Sequence, residues 1–314
     1  MSGIPVSLPT LATAASLCGA LALAGLAGKL VRPRRLGRRF LPGRARAPGD
    51  AWWLGLAVGA AALWLGVEAI VVLFAFVSAA ALAGFLASGD TNASGRPLHV
   101  LCCYLCVPMQ YAFIAAGRHD LFTVCLPFVA TLVIPLLTIA QGEKRALLER
   151  VAERYWGITI WVYCVSHAPA LLMLDLPKFA GGNAGLVAFL LVLSLASQCL
   201  WSLTSARHGI RADDAPALQT HLRGTRIVAV GLVGVLGALL AWMTPFSALA
   251  ACAMALLIAV PGFLGCSVLA AIRHTHLPGM AVREGGAFVP GTLYPDALAF
   301  AAPVFFYAVR AWSA

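Results

Sequence analysis

Two adjacent carboxylates, Asp213 and Asp214, stand close to Arg207, His208 and Arg211. Paired acids beside cations could hold a divalent metal against a phosphate, and the same residues also suit a solvated turn. His167 follows Ser166 and precedes Pro169 within an apolar run. An ionisable side chain at membrane depth is a functional candidate by default; the alternative is a neutral imidazole bonded to a neighbouring helix, with Pro169 making a kink. His274 and His276 lie two apart beside Arg273, a spacing that could touch a headgroup or metal but has no third ligand nearby. Cys102, Cys103 and Cys106 resemble a metal cluster in isolation, yet no second ligand pair accompanies them. All nine cysteines fall in apolar stretches, where a thiol packs as a small hydrophobe.

The elements that must position these groups are apolar. Of 314 residues, 61% are hydrophobic and 11% charged, against roughly 25% charged in a soluble domain. With about 20 apolar residues needed per span, the chain is expected to be an all-α integral membrane protein of about ten transmembrane helices. Cutting at polar and Pro/Gly interruptions places spans near 8–27, 51–66, 69–87, 97–116, 121–140, 157–174, 186–203, 227–243, 247–272 and 296–312. The second and third come from one stretch too long for a single crossing, divided by a tight turn at Gly66, Val67 and Glu68, with Glu68 an ordinary solvated acid. Residues 1–50 read as a membrane anchor with a basic loop, and 51–314 as one polytopic domain.

The net charge of +10 could suggest nucleic acid, but its placement argues otherwise. The block from Lys29 to Arg46 carries eight basic residues and no acid directly after an apolar span, which is an orientation signal. A signal peptide would carry that charge before its apolar region, so the first span is expected to stay as an anchor. Of the 22 Lys and Arg residues, all but Arg118, Lys178 and Arg310 fall on the side of that block. The N-terminus is therefore expected outside and the basic loops in the cytosol of a multi-pass protein of the inner (cytoplasmic) membrane. The sequon at Asn92 then faces the cytosol and carries no glycan.

Three cytosolic segments are long enough to matter. Residues 141–156 place Leu147, Leu148 and Val151 on one face, as an interfacial helix would. Residues 204–226 and 273–295 lack an apolar stripe and hold His, Asp, Arg, Gly and Pro, so they are the expected site loops.

From about Ala51 onward the chain resembles the phosphatidate cytidylyltransferase (CDP-diacylglycerol synthase) family. The stretches RYWGITIWVYCVSHAPALL from Arg154, GGNAGLVAFLLVLSL from Gly181, and Val282 to Arg310 carry the likeness, in their order against the span pattern. The resemblance implies transfer of CMP from CTP to phosphatidic acid, with Mg²⁺ clamping the attacking and leaving oxygens. One signature of the family reads Ser-Asp-x-x-(Ala/Gln)-Tyr; here Ser194 and Gln198 match, while Leu195 and Cys199 replace the Asp and Tyr. The Lys, Thr and Glu of a following Ser-Pro-x-Lys-Thr-x-Glu-Gly run appear as Thr220, His221 and Arg223, before the matching Gly224. A second signature is matched by Arg283, Glu284, Gly286, Val289, Pro290 and Gly291 and closes on Asp296, but its His-Gly-Gly turn and Asp-Arg pair are deleted.

These matches imply Glu284 and Asp296 as catalytic and metal-holding acids, joined by Asp213 and Asp214 if the metal site is rebuilt. Gln198, Arg207, His208, Arg283, Gly286, Pro290, Gly291 and His167 are the implied substrate contacts. The departures imply a lipid-metabolic membrane protein whose CTP and metal site is eroded and whose catalysis is reduced or absent. An active synthase using Mg²⁺ is the alternative, and a lipid or small-molecule transporter a further one. The absence of an internal repeat weighs against transport, as does the short set of intramembrane polar residues, mainly Gln110, Ser166, His167 and Gln198. The expected partners are phosphatidic acid or another anionic phospholipid, CTP if active, no nucleic acid, and a second copy in a homodimer. Fluorescent-protein fusions after Arg46, Arg145 and Arg211 should all glow, because that reporter folds in the cytosol; a dark fusion at any of them would overturn the orientation.

Overall fold

The computed structural model describes residues 66–88, 105–140, 147–174, 176, 183–207, 215–276 and 296–313. Among them the secondary structure is helical, without strands. The helices are α1 (Val67–Ser88), α2 (Val107–Ala115), α3 (His119–Ala140), α4 (Leu147–Met173), α5 (Ala184–Arg207), α6 (Ala215–Leu239), α7 (Ala248–His276) and α8 (Asp296–Ser313). Four of them, α3, α4, α5 and α7, contain stretches long and apolar enough to cross a membrane, and α1 and α6 carry shorter apolar segments. The protein is thus a helical membrane protein. The expected spans 8–27 and 51–66 lie outside the described residues.

Helix α3 shows how such a helix divides its surface. Phe122, Leu126, Ala130, Ile134 and Thr138 recur every four residues and are buried. Leu121, Val124, Phe128, Leu132, Leu136 and Ile139 are exposed and equally apolar. A helix apolar on all sides is stable only where its outer face meets lipid. Pro127 and Pro135 interrupt the ladder of α3, which membrane helices tolerate because neighbouring groups satisfy the freed backbone.

Tight turns make neighbours antiparallel. Gly66, at φ +107°, precedes α1, whose first turn already holds Val67 and the exposed Glu68; the other side of the expected turn lies outside the described residues. Gly117, at φ +67°, closes the turn from α2 to α3, a conformation that suits a residue without Cβ. Ser247 caps α7 by accepting the Ala250 N–H at 3.3 Å.

Helix α4 corrects the expectation for 141–156. The predicted interfacial helix forms from Leu147 but does not lie apart: it runs on through a π-helical segment, Thr159–Cys164, into Val165–Ala170 and a 3₁₀ turn, Leu171–Met173. The reason is Arg154, which sequence alone puts among solvated charges. It is 4% exposed, and its Nη1 donates to Thr138 Oγ1 at 2.9 Å, while that hydroxyl donates to Ile134 O at 2.7 Å. At Gly157 a Cβ would stand 2.9 Å from the Phe85 ring, so α4 approaches α1 more closely than a larger residue permits.

The two expected site loops are also shorter than predicted. Helix α5 runs to Arg207 and α6 starts at Ala215, while α7 extends to His276. Arg273, His274 and His276 therefore lie on a helix. Continuing a helix satisfies backbone groups that a loop at the membrane boundary leaves open, and an absent apolar stripe does not prevent it.

Helix α7 packs against α5, α6 and α8, and α5 against α6 and α8, while α8 also packs against α4, tying the later helices to the earlier ones. Small residues set the α6–α7 contact: a Cβ on Gly237 would fall 2.2 Å from Ala255 Cβ and 3.0 Å from Ala251 O. Gly231, facing away, has nothing within 4 Å. Gly237→Ala should destabilise by about 1–3 kcal/mol through overpacking, whereas Gly231→Ala should stabilise by up to about 1 kcal/mol; unfolding in mixed micelles measures both.

Candidate functional site

Two polar regions emerge from this packing. One lies where α8 begins, against the later part of α5 and the middle of α6 and α7. Trp201 from α5, Ala229 from α6, Phe263 and Cys266 from α7 and Ala297 from α8 form one buried cluster there. Trp201 Nε1 donates to Ser267 Oγ at 3.1 Å, and Ser267 Oγ donates to Phe263 O, so the indole joins α5 to α7. At Gly262 a Cβ would meet Ala297 Cβ at 3.4 Å and Ser197 Cβ at 3.5 Å, which brings α5, α7 and α8 to a three-way contact.

Asp296 opens α8 at this junction and is 2% exposed. A carboxylate in the first turn of a helix is favoured by the unpaired N–H groups and the dipole. Gln198, one helical turn from Trp201 on α5, is half-buried, and its carbonyl accepts from Ser202 Oγ at 2.9 Å. The structure therefore brings two of the sequence-predicted residues, Gln198 and Asp296, to the same end of the bundle. Ser194 and Ser197, on the same stretch of α5, are buried; Ser197 Oγ donates to Leu193 O at 2.8 Å, and Ser194 Oγ has no partner among the described residues. Arg207 closes α5. His208, Asp213, Asp214, Arg283, Glu284, Gly286, Pro290 and Gly291 lie outside the described residues. Among the described residues no three His, Cys, Asp or Glu side chains gather as metal ligands.

Sequence reasoning missed Arg226 at this end. It is half-buried on α6, three residues before Ala229, and its Nε is shielded from solvent with no partner among the described residues. The available signal was the helical spacing of Arg226, Ala229, Val230 and Val233, which only becomes readable once α6 is known to start at Ala215 rather than after Arg226.

The second region surrounds His167, which the structure separates from the first: it sits late in α4, walled by aromatic rings. His167, Ser166 and Gln110 are all fully buried. Gln110 Nε2 donates to Phe122 O at 3.1 Å and to Ser166 Oγ at 3.2 Å, and Ser166 Oγ donates to Tyr163 O at 2.7 Å. His167 Nδ1 faces the same carbonyl at 2.8 Å. A carbonyl can only accept, so Nδ1 carries the proton and the imidazole is the Nδ1–H tautomer when neutral. Phe122, Tyr163, Phe306 and Tyr307 pack against the ring at centroid distances of 4.9, 4.8, 5.3 and 5.6 Å. His167 thus bonds within its own helix and not to a neighbouring one, its buried Nε2 has no partner among the described residues, and Ser166 and Gln110 make the crossing to α2. Cys164 and Cys125 are half-buried and Cys106 and Cys266 buried, none of them in a disulfide among the described residues. A double-mutant cycle of Gln110→Leu and Ser166→Ala should give a coupling of about 0.6 and at most about 1.7 kcal/mol, the range of interhelical bonds in membranes; unfolding free energies of the four variants measure it.

Over 216 residues the chain is 31% identical to the uncharacterized protein YnbB of Escherichia coli (strain K12), a match covering 66% of this chain and 70% of that protein. No protein-family model matches the chain, and no solved structure matches it. With that identity spread over more than two thirds of the relative, the chain belongs to the family of YnbB.

Proposed function

We propose that this protein is a membrane-embedded relative of the phosphatidate cytidylyltransferases, of about ten spans in the inner membrane, that binds phosphatidic acid or another anionic phospholipid. Its CTP and metal site is eroded, and catalysis is reduced or absent. The observation that carries this reading is the placement of Asp296, 2% exposed at the start of α8, at the same bundle end as Gln198 on α5. These are residues that the resemblance selects from separate signatures about a hundred positions apart, and a chance likeness gives no reason for them to converge. The erosion is argued from α5 itself. Leu195 and Cys199 stand where the signature has its Asp and Tyr, and the exchange puts two apolar groups beside Gln198.

An active CDP-diacylglycerol synthase is the second reading. Mg²⁺ is commonly held by one or two carboxylates together with substrate phosphates, so Asp296 with Glu284 and the triphosphate oxygens would be a sufficient set of donors. Mg²⁺ would then supply charge neutralisation to the departing pyrophosphate, while this chain orients the two phosphates.

Calorimetry on detergent-purified protein with CTP and Mg²⁺, beside Asp296→Ala and Glu284→Ala, separates the readings. The eroded site predicts no CTP binding and retained binding of phosphatidic acid. CTP binding that both substitutions abolish would instead support the active synthase, and pyrophosphate release would establish it. Failure to bind either ligand would sink both readings.

A further inference from the structure

Around His167 the hydrogen-bond donors are all used and two acceptors are left over. Gln110 places both N–H groups of its amide, on Phe122 O and Ser166 Oγ; Ser166 places its O–H on Tyr163 O, and His167 its Nδ1–H on the same carbonyl. What remains is the lone pair of His167 Nε2 and the carbonyl oxygen of Gln110, Oε1. Both side chains are 0% exposed, and neither atom has a partner among the described residues. A buried polar atom left without a partner is uncommon in a folded protein and points to something that binds there. The missing partner must bring hydrogen. It is uncharged: no charged side chain acts on the imidazole among the described residues, Glu68 and Asp120 are exposed, and a cation without a counter-charge is costly at membrane depth.

The walls indicate what carries that hydrogen. Phe122, Tyr163, Phe306 and Tyr307 enclose the imidazole, so apart from the two acceptors the surroundings are largely ring faces and edges. Two of these walls reach the surface of the bundle: Tyr163 is half-buried and Tyr307 is 43% exposed. Val304, one turn from Tyr307, and Val124, beside the Thr123 carbonyl that accepts from the Tyr163 hydroxyl, are exposed too, so this surface meets lipid. At 1.5 Å per residue His167 lies about 9 Å before α4 ends at Met173, and Tyr307 about 9 Å before α8 ends at Ser313. That depth suits the glycerol of a lipid. We infer that His167 Nε2 and Gln110 Oε1 are the acceptors of a binding site for the free hydroxyls of an uncharged lipid alcohol of the monoacylglycerol class, which enters past Tyr163 and Tyr307. One hydroxyl donates to the imidazole and the second to the amide, while the glycerol carbons lie against the rings and the acyl chain stays in the bilayer. The site is separate from the Asp296 junction and its ligand carries no phosphate, so it stands or falls independently of the function proposed above.

The test uses the full chain, labelled with ¹⁵N-histidine, in phosphatidylcholine nanodiscs, with monooleoylglycerol and its dimethyl ether as probes. Monooleoylglycerol should move the unprotonated Nε2 resonance of His167 upfield and saturably, because a lone pair that accepts a hydrogen bond is more shielded; the ether, which has the same oxygens and no O–H, should leave it in place. The His167 signal is the one lost in His167→Phe or, should that variant not fold, the one that shows the Nδ1–H tautomer. Crosslinking of a photoreactive monoacylglycerol, competed by monooleoylglycerol, reads affinity, and His167→Phe and Gln110→Met should each weaken it by roughly two- to tenfold, the range for one neutral hydrogen bond. An equal shift from the ether overturns the inference, as does undiminished crosslinking in both variants. An Nε2 that is hydrogen-bonded in phosphatidylcholine alone and that no probe moves makes water the occupant and rejects the lipid alcohol. An Nε2 that carries a proton at pH 7 rejects it as well. Where neither variant folds, the comparison of alcohol with ether on the unaltered chain decides.

Discussion

In hydrocarbon no water is available to a backbone N–H or C=O, so each must be bonded within its own segment. Every described element here answers that constraint by being a helix, and the side chains that break it do so with their own supply of bonds. Thr131 Oγ1 donates to Pro127 O at 2.8 Å beside a proline, and Asn183 Nδ2 donates to Leu174 O where α4 has ended. The same constraint fits the short connections seen among the described residues, α2 to α3 and α6 to α7: a helix carried to the membrane boundary leaves fewer groups to satisfy than a loop does.

Close contact is the other half of the arrangement. With lipid as apolar as leucine, helices associate through packing and through bonds across the interface. Gly157, Gly234, Gly237 and Gly265 each face a neighbour at distances that a Cβ would contest. Where packing alone does not join two helices, a buried polar pair does, as Ser78 and Tyr111 do at 2.6 Å between α1 and α2. Arg154 is the costliest of these groups and is accordingly bonded to Thr138 rather than left to snorkel.

Much of this was legible in the sequence. The helical class follows from apolar length. The gain of helix beyond the expected boundaries was not legible, because a charged residue such as Arg154 reads as solvated until its neighbours are known. For the site, Asp296 could be found only through the resemblance, since a lone acid before an apolar run is otherwise an ordinary helix start. Arg226 escaped because its inward face is a property of the packing of α6 against α7 and α5. Three of the four acids of interest, Asp213, Asp214 and Glu284, lie outside the described residues.

The π-helical segment Thr159–Cys164 carries a last consequence. A π-turn behaves as one residue inserted into an α-helix, and one residue is about 100° of rotation. Everything after it in α4 is thus out of phase with everything before. Before it, Arg154, Gly157 and Ile158 pack inward while other faces are open; after it, every residue from Val165 to Ala170 is buried, His167 among them. The π-turn therefore stands where α4 passes from a helix with one inward face to one enclosed on all sides, and the rotation it introduces decides which neighbour each enclosed side chain meets.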